Sequence, residues 1–417
     1  MKVFKSFFLS YIIYFLYPSF LYGQNNNPGC TDPNAINYNS SATLNDGSCL
    51  YSPTNYLTEN LASLNDTIKE SSGLVFWNNY LWTMNDSGNP PFLFQLDTLS
   101  GMIQNKYFIK NQVNIDWEAL TQSDDYFFIG DFGNSAGDRQ NLKILRIKKN
   151  DILNNINDTI TAETISFYYP EQTNFTSQNL NTVWDAEAFF YHNDSLHLFT
   201  KDWINQKTVH YAVPNQIGNF PANKVDSFSS NGLITDACID NLGNIILLGN
   251  QISTEEGIQT FAWLLFDYQD NRIFSGNKRR IALGDVYEVG QMEGICFKED
   301  YSGFISAEAF EISSLGINTP ARLHKFDFKP YFTAPVPSSI KESKDIHQII
   351  VTPNPSKKYI NLQLPAKKEL AIFNQQGKKV WESQLSPGSH QINCSTWSKG
   401  SYYLKGKDIK TIKFVLE

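Results

Sequence analysis

One pattern of residues occurs five times between Tyr56 and Tyr331, and it constrains the fold more than any other feature of the chain. Each copy begins with Ser, Asp or Glu, continues through small and apolar residues, turns at Asn, Asp or Gly, and returns as an apolar segment that ends on an acid or an amide. In every copy the two polar ends are 13 to 15 residues apart: Ser72 and Asp86, Glu118 and Asp131, Glu187 and Asp202, Asp236 and Asn250, Glu293 and Glu308. An antiparallel hairpin with strands of about five residues has this length.

The hairpins recur at intervals of 46, 69, 49 and 57 residues between their first polar ends. A four-stranded propeller blade occupies about 40 to 50 residues plus loop insertions, so the pattern predicts an all-β protein with a five-bladed β-propeller over 56–331. Further strands follow the hairpins as PFLFQLDT, LKILRIKK, KTVHYAV, FAWLLFDYQ and ARLHKFDF. No fourth strand follows the last of these, so we expect Tyr56–Leu64 to complete the fifth blade. A sixth, degenerate blade is the alternative.

Composition agrees with a β-rich protein, and charge divides the chain. Aromatic residues make up 14% and charged residues 18% of the 417 residues. With a net charge of −8, the molecule as a whole has no electrostatic footprint for nucleic acid. From Val351 to Glu417, however, 11 Lys stand against 4 acidic residues, which gives this part +7 and leaves −15 for the rest. This change of charge predicts a separate C-terminal domain.

The first 23 residues have the pattern of a signal peptide. Lys2 and Lys5 precede an apolar run from Phe7 to Leu21, and the small residue Gly23 follows. The alternative, a retained membrane anchor, would need about 20 apolar residues, whereas this run is shorter and is interrupted by Tyr, Pro and Ser. No later segment is apolar for long enough to span a bilayer. We therefore expect an exported protein without a transmembrane span.

The segment from 24 to 52 contains Cys30 and Cys49, the two cysteines that are close in sequence. In an oxidising compartment we expect them to form a disulfide, which would order a loop too polar to build its own core. Four side chains could bind calcium through oxygen or could form turns, and we favour turns: Asp32, Asn39, Asn45 and Asp46. The segment resembles the short GCTDPxAxNYNxxAxxxDGSC modules of secreted and surface proteins of Bacteroidetes.

Residues 349–417 alternate apolar and polar positions between turn signals, which predicts a small antiparallel β-sandwich. The segment contains Pro353-Asn354-Pro355, Gly377-Lys378, Lys399-Gly400-Ser401-Tyr402 and a basic last strand around Lys413. In these features it resembles the C-terminal sorting domain of the type IX secretion system. The resemblance implies that 351–417 interact with the secretion machinery and that the protein reaches the cell surface or the medium. An Ig-like binding domain is the alternative, and a Pro- and Ser-rich linker is predicted at 332–348.

The first strand of each propeller blade faces the central channel, so we expect the first polar ends of the five hairpins to surround its axis near one rim. This ring consists of Ser72, Glu118, Glu187, Asp236 and Glu293. Protons or a metal ion must neutralise so many carboxylates, and oxygen ligands without clustered His or Cys favour calcium. The alternative is that these side chains cap strand ends and hold water. The second polar ends, Asp86, Asp131, Asp202, Asn250 and Glu308, are expected to surround the first ring.

The order SGL, EAL, EAF, DAC and EGI at the hairpin starts resembles the calcium-activated nucleotidases (apyrases), five-bladed propellers with one axial calcium. The resemblance implies that the five residues of the first ring are the calcium ligands. That family's first hairpin ends in two Asp and an Arg, whereas this chain has NDSG, and the loss of the Arg weakens the case for phosphate hydrolysis. Lys201 and Arg139 could replace it, but we expect both to be solvated. The ESSGL, NDSG, DWE and GDFGN motifs more closely resemble uncharacterised propellers that accompany the sorting domain.

Other chemistry receives little support from the sequence. No nucleophile elbow, HExxH helix, P-loop or GxGxxG motif is present, and the six His residues show no metal-ligand spacing. Cys238 and Cys296 fall on the first strands of neighbouring blades, where we expect small buried thiols or, as the alternative, a disulfide between blades. Cys394 has no evident partner.

Two functions remain open. The first is a non-catalytic surface propeller with a central calcium that presents its rim loops to a polymer, a protein or a small molecule. In that case exposed Trp117 and Trp203 would supply contact area, although both could instead pack between blades. The alternative is a calcium-dependent phosphoesterase, in which Asp86, Asp131 or Asp202 would position water.

Overall fold

A computed structural model describes residues 26–154, 157–253, 257–312, 317–332, 350–364, 367–375, 377–406 and 412–417. The chain divides into two compact units, 1–335 and 336–417. The predicted signal peptide (1–23) lies outside the described residues, as does the predicted linker (332–348) except for Phe332. Within the described part of the chain, no helix is both long enough and apolar enough to cross a membrane.

The cysteine-containing segment is held by the predicted disulfide between Cys30 and Cys49. Within residues 26–52, which the structure describes, the regular structure is a parallel pair of short strands, β1 (Pro28–Gly29) and β2 (Leu44–Asn45). Its polar side chains cap its own turns, as in the bond that the Ser48 amide donates to Asp46 Oδ1 (3.0 Å). Asn45 Nδ2 also donates to Asp267 Oδ2 in the propeller (2.8 Å), which fixes the segment to the fourth blade.

Each blade of the propeller begins with one of the hairpins predicted from the sequence. Before the first blade lie β3 (Glu59–Ser63) and a 3-10 turn (Asp66–Ile68). Blade 1 consists of β4 (Ser71–Trp77), β5 (Tyr80–Asn85), β6 (Phe92–Leu96) and β7 (Ile103–Ile109). Blade 2 consists of β8 (Trp117–Gln122), β9 (Tyr126–Asp131), β10 (Lys143–Lys148) and β12 (Glu163–Tyr168). Helix α1 (Lys149–Leu153) and β11 (Thr159–Ile160) follow β10 in the chain, and β11 pairs with β7 at the edge of blade 1.

The remaining blades follow in chain order. Blade 3 consists of β13 (Ala186–His192), β14 (Ser195–Thr200), β15 (Thr208–Pro214) and β17 (Asn223–Phe228). The short β16 (Gly218–Pro221) precedes β17 in the chain and pairs with β12 at the edge of blade 2. Blade 4 consists of β18 (Leu233–Ile239), β19 (Ile245–Ser253), β20 (Gly257–Phe266) and β21 (Asn277–Asp285), with a 3-10 turn (Ile273–Ser275). Blade 5 contains β22 (Gln291–Glu299), β23 (Ser302–Glu308) and β26 (Arg322–Asp327); around them lie α2 (Val286–Val289), β24 (Phe310–Ile312), β25 (Ile317–Thr319) and a 3-10 turn (Lys329–Tyr331).

The ring closes through a strand from the beginning of the propeller. β3 pairs with β26 in antiparallel register, Ser63 opposite Arg322, and so becomes the fourth strand of blade 5. The first strands β4, β8, β13, β18 and β22 contact one another in sequence, and β22 contacts β4. The prediction of five blades with a closing segment at 56–64 is therefore confirmed, and the described sheets contain no sixth blade.

Aromatic and aliphatic side chains fill the spaces between neighbouring blades. Trp82 packs against Phe127 between blades 1 and 2 (centroids 5.2 Å apart), and Phe132 packs against Phe189 between blades 2 and 3 (5.2 Å). A separate buried cluster occupies each of the five spaces around the ring. Each fully buried large apolar side chain contributes about 1.5–3 kcal/mol, so the inter-blade clusters hold the sheets together. Many of the aromatic residues in the sequence lie in these clusters between the blades.

The remaining cysteines are free. Cys238, Cys296 and Cys394 are buried thiols, so the alternative of a disulfide between blades is not what the structure shows. Cys238 and Cys296 instead join the apolar clusters on either side of blade 5.

The second unit is the small β-sandwich predicted from the sequence. Its strands are β27 (Ile350–Thr352), β28 (Tyr359–Leu364), β29 (Lys368–Asn374), β30 (Lys379–Leu385), β31 (Gly388–Asn393), β32 (Gly400–Gly406) and β33 (Ile412–Leu416). They form one sheet in the order β27-β28-β31 and another in the order β30-β29-β32-β33. A core that includes Ile360, Ile372, Leu404 and Phe414 fills the sandwich.

A buried histidine in β26 of blade 5 forms a hydrogen bond with the residue that directly precedes β3, the closing strand. His324 of β26 is 2% exposed; its Nε2 lies 2.9 Å from the carbonyl oxygen of Val289, and its Nδ1 lies 3.1 Å from the hydroxyl of Thr58. Since a carbonyl can only accept, Nε2 carries the proton, and Nδ1 accepts from Thr58. Burial lowers the pKa of His324 to about 4.

His324 should therefore make the propeller acid-sensitive. The unfolded histidine takes up a proton near pH 6.5 and the folded one only near 4, so His324 contributes stability above pH 6.5 that is lost as the pH falls toward 4, up to about 3 kcal/mol. Denaturant unfolding of wild type and His324→Gln between pH 7.5 and 4 measures this. The variant should lose less stability on acidification, and His390→Gln in the second unit should behave as wild type. Parallel pH curves for wild type and His324→Gln would refute the assignment.

Candidate metal centre

A β-bulge near the start of every first strand positions the axial side chains. In each blade one residue is left out of the pairing between the first and second strands. In blade order the residues left out are Gly73, Glu118, Glu187, Thr235 and Glu293. A bulge redirects a side chain relative to the regular pleat. Three glutamates therefore occupy equivalent positions in blades 2, 3 and 5.

The alignment predicted from equal spacing is wrong by one residue in blades 1 and 4. Ser72 precedes the bulge of blade 1, and its hydroxyl donates to the backbone carbonyl of Glu118. Asp236 follows the bulge of blade 4 and accepts from the amides of Ala237 (2.8 Å) and Ile295 (2.7 Å). Both side chains thus join neighbouring first strands. Sequence spacing could not reveal this, because a bulge adds a residue without changing the length of the hairpin much.

Three carboxyl groups from blades 1 and 2 converge on one point. One oxygen each of Asp86, Asp116 and Glu118 lie within 4.8 Å of one another. Asp86 follows the end of β5, Asp116 precedes β8, and Glu118 is the bulge residue of β8. Gly133 leaves the space that they occupy, since a Cβ atom there would lie 2.0 Å from Glu118 Oε1 and 2.5 Å from Asp116 Oδ2.

Burial and mutual repulsion make full ionisation of this cluster unfavourable. Burial, followed by the Glu187 and Asp86 carboxylates, raises the pKa of Glu118 well above its usual range. Burial and Asp86 raise the pKa of Asp116 to about 6, although the Arg139 guanidinium opposes this. Burial also raises the pKa of Asp86. A cation bound among the three groups would remove the penalty.

Lys201 provides an internal cation on the blade 3 side. Its Nζ lies 2.8 Å from Glu187 Oε1, and both side chains are about nine-tenths buried. Burial disfavours the ammonium, but Glu187 and Glu293 outweigh this effect and raise its pKa. The expectation that Lys201 is solvated is wrong, because the residue directly follows β14 at the inner rim rather than extending into a loop.

Two asparagines offer oxygens to the same region. Asn85 and Asn250 occupy the same position in the second strands of blades 1 and 4. Each asparagine directly follows the second-strand residue that forms the pair next to the bulge. Their Oδ1 atoms are buried and have no hydrogen-bond partner among the described residues. Asn250 Nδ2 lies 3.5 Å from Glu293 Oε1, which also accepts from Gln291 Nε2 at 2.7 Å. Buried acceptors of this kind indicate that water or a cation completes the site.

Two of the three candidate catalytic carboxylates, Asp131 and Asp202, already have ion-pair or hydrogen-bond partners within the protein. Asp131 is fully buried and lies 2.8 Å from Arg139 and 3.4 Å from Lys143. Asp202 Oδ1 accepts from the amides of Ile204 (3.0 Å) and Asn205 (2.8 Å) and so caps its own loop. The expectation that Arg139 is solvated is also wrong, because it pairs with Asp131 and donates to the Gly133 carbonyl at 2.7 Å. Of the three candidates, only Asp86 belongs to the carboxylate cluster.

The two tryptophans predicted near the rim have different environments: Trp117 belongs to the apolar cluster between blades 1 and 2, whereas Trp203 forms a hydrogen bond near the axis. Trp117 is fully buried, so the alternative that it packs between blades is correct. Trp203 is partly buried, and its indole nitrogen donates to Asp185 Oδ2 at 2.7 Å. The Lys201 ammonium lies 4.9 Å from the centre of the Trp203 ring.

Sequence reasoning missed Asp116 and Asp185. Each stands two residues before a bulge glutamate, in Asp116-Trp117-Glu118 and in Asp185-Ala186-Glu187. Asp185 Oδ1 accepts from the Asn134 amide at 2.6 Å, whereas Asp116 joins the cluster. The repeated Asp-x-Glu at the start of a blade was the signal that could have identified both.

Residues 351–416 match the family model of the secretion system C-terminal sorting domain. The sorting domain predicted from the sequence is thereby confirmed. A domain of this kind directs export, so this is a protein of the cell surface or the extracellular space that interacts with the type IX secretion machinery. No curated protein is significantly similar in sequence to this chain.

Solved structures with a similar fold are remote in sequence. PorZ, an essential bacterial surface component of the type IX secretion system of Porphyromonas gingivalis, is 12% identical with a TM-score of 0.30; the match covers 83% of this chain and 45% of PorZ, so this chain spans less than half of that protein. An α-L-arabinofuranosidase from Podospora anserina is 10% identical with a TM-score of 0.36 over 66% of this chain and 98% of the enzyme. Neither indicates an activity here, and the resemblance to calcium-activated nucleotidases stays a prediction.

Loss of the internal cation should destabilise the propeller in a pH-dependent way. In Lys201→Met, Glu187 keeps a buried charge without its partner, which typically costs about 3–5 kcal/mol. Burial raises the pKa of Glu187 well above its usual range, so the deficit should shrink as the pH falls from 7.5 to 5, because a protonated carboxyl group needs no counterion. Denaturant unfolding at pH 7.5 and pH 5 measures both effects, with Lys207→Met, at an exposed lysine in the same loop, as the control. An unchanged free energy of unfolding at pH 7.5 would contradict the role given to Lys201.

Proposed function

We propose that the exported propeller is a non-catalytic binding scaffold stabilised by one calcium ion, and that it presents its rim loops to an extracellular ligand. The observation that carries the proposal is the convergence of Asp86, Asp116 and Glu118 within 4.8 Å around the space left by Gly133. The ion would be held by the blade 1 and blade 2 side of the predicted ring, displaced toward Asp86 and Asp116.

The donor set suits calcium. Calcium takes six to eight oxygen ligands at about 2.3–2.6 Å, so oxygens bound to one ion lie at most about 5 Å apart, as these three do. The unpartnered Oδ1 of Asn85, which directly precedes Asp86, is a further hard oxygen in this part of the site. Of the five ligands predicted from the sequence, Glu118 belongs to this set.

One ion would suffice because the other two bulge glutamates, Glu187 and Glu293, have partners within the protein. Lys201 pairs with Glu187, and Glu293 accepts hydrogen bonds from two side-chain amides. The other half of the ring therefore has partners within the protein. The predicted ligand roles of Glu187 and Glu293 are replaced in this proposal by pairing and hydrogen bonding, and those of Ser72 and Asp236 by contacts with neighbouring first strands.

The engagement of the nearby cations favours binding over phosphoester hydrolysis. Phosphoryl transfer requires cationic groups that can contact the phosphoryl oxygens. Arg139 is committed to Asp131 and the Gly133 carbonyl, and Lys201 is committed to Glu187. Neither can contact a phosphate without breaking a buried ion pair, which makes the calcium-dependent phosphoesterase the less favoured function.

Calcium should raise the melting temperature of the purified protein. A ligand that binds only the native state stabilises it by about 2.7 kcal/mol at 100 times its dissociation constant. Scanning calorimetry with calcium and with chelator should separate the two melts in wild type, whereas Asp116→Asn should show a much smaller shift. Asp124→Asn, an exposed acid at the other end of the propeller, should respond as wild type. Identical melts with calcium and with chelator would refute the calcium site.

The scaffold interpretation has its own test. Purified protein with calcium should show only background hydrolysis of nucleoside diphosphates and p-nitrophenyl phosphate. Turnover well above background that disappears in Asp86→Asn, while the fold remains intact, would overturn the non-catalytic interpretation in favour of the phosphoesterase.

A further inference from the structure

A polar cavity of about 860 Å³ lies at the end of the propeller opposite the carboxylates. It is bounded by the loops that join the first and second strands of blades 1 to 4, including Trp77, Tyr126, Tyr191 and Asp240. The carboxylate cluster lies at the starts of the first strands, and Trp77 is the last residue of β4. The cavity is therefore separate from the metal centre, about one strand length away, and its lining residues take no part in the proposed calcium site.

The floor of the cavity contains a buried lysine without an acidic partner. Lys149 is 5% exposed, and its Nζ donates to Gln122 Oε1 (2.8 Å) and to the Ser123 carbonyl (2.6 Å). Both acceptors are uncharged, and the described residues place no carboxylate oxygen within 4.0 Å of this ammonium. An ammonium has three N–H donors, and two of them have acceptors among the described residues, so a ligand can take the third.

Packing holds Lys149 in place before any ligand arrives. Its Nζ lies 5.2 Å from the centre of the Trp77 ring and 5.1 Å from that of Phe127. Gln122 is itself fixed, because its Nε2 donates to the Phe76 carbonyl at 2.8 Å. A donor whose rotamer is already locked loses little conformational entropy when a ligand binds.

The rest of the lining combines aromatic rings with hydrogen-bonding groups of both kinds. Trp77, Tyr126 and Tyr191 are partly exposed to the cavity, and Asp124, Asp125 and Asn215 line its wall. The carboxylates can only accept hydrogen bonds, the ammonium can only donate, and the amide does both. A hydroxyl group is at once donor and acceptor, so several hydroxyls on one ring satisfy such a mixed wall. The apolar face of the same ring can contact aromatic side chains.

We infer that this cavity is a binding site for a neutral saccharide ring of an extracellular polysaccharide. The inference deepens the binding role proposed above and rests on it, since it names the site and the class of ligand. It does not depend on a bound cation. The acidic residues Asp124 and Asp125 at the wall disfavour a strongly anionic polymer, and Lys149 supplies a charged donor for a sugar hydroxyl.

Affinity electrophoresis of the full mature chain in native gels tests the inference. The probes are four soluble neutral polysaccharides (dextran, laminarin, xylan and α-mannan), with polygalacturonate as the anionic comparison. At least one neutral polymer should retard wild type, and Lys149→Met, which keeps the packed aliphatic stem, should bind it about tenfold more weakly. Lys148→Met removes the neighbouring exposed lysine, whose Nζ is 3.9 Å from Glu163, and should bind as wild type.

The controls separate this inference from the calcium site and from misfolding. Lys149→Met should still fold and melt in one cooperative transition, and Asp125→Ala, a change at an exposed position, should also weaken retardation. Asp116→Asn and chelator should leave retardation unchanged even if they abolish the calcium response. No retardation by any of the four neutral polymers would overturn the inference. Equal retardation of wild type, Lys149→Met and Asp125→Ala would also overturn it, as would retardation by polygalacturonate alone.

Discussion

Charge at the axis of the propeller has to be balanced within the protein, because the first strands of blades 2, 3 and 5 bring buried glutamates together there. The buried pair of Lys201 and Glu187 balances one side of the ring. On the other side, among the described residues, the cluster of Asp86, Asp116 and Glu118 has one ion-pair contact, a longer one of 3.9 Å between Arg139 and Asp116. Ion pairs of this kind contribute little net stability but are costly to break, so they fix which residues can face the axis. The asymmetry between the two halves is what gives an otherwise repetitive ring one distinct site.

The geometry of the bulges explains how a structural repeat can carry unequal chemistry. All five first strands bulge at the same place, yet the bulge residue is Glu in three blades, Gly73 in blade 1 and Thr235 in blade 4. Gly73 approaches the next strand so closely that a Cβ would lie 2.3 Å from the Leu120 amide nitrogen. The bulge residue of blade 1 therefore allows close packing of β4 against β8 but offers no side-chain ligand. Asp86, from its second strand, supplies the carboxylate on that side.

The fold was predictable from the sequence because the hairpin pattern repeats with nearly constant length, and even the closing strand at Glu59–Ser63 followed from the missing fourth strand of blade 5. The site was predictable only in part. A bulge shifts the register by one residue without changing the periodicity, so Ser72 and Asp236 were aligned with glutamates whose position they do not share. Lys201 and Arg139 pair with Glu187 and Asp131, acids that lie only 14 and 8 residues earlier in the chain. The residue pattern does not show that these side chains turn toward one another, because the bulges and loop geometry that orient them leave no mark on the spacing.

Pairing of β3 with β26 joins positions 63 and 322, about 260 residues apart, and contacts of such long range are slow to form during folding. Until β26 has emerged, β3 has no neighbour to pair with and the ring has an open side. An incomplete chain would expose both the free edge of blade 5 and the apolar face between blades 5 and 1, which favours aggregation. The order of synthesis thus differs from the order of assembly: β3, the first strand of the propeller to be made, is the last that can pair. In this exported protein the propeller therefore stays open until β26 of the last blade is available to pair with β3.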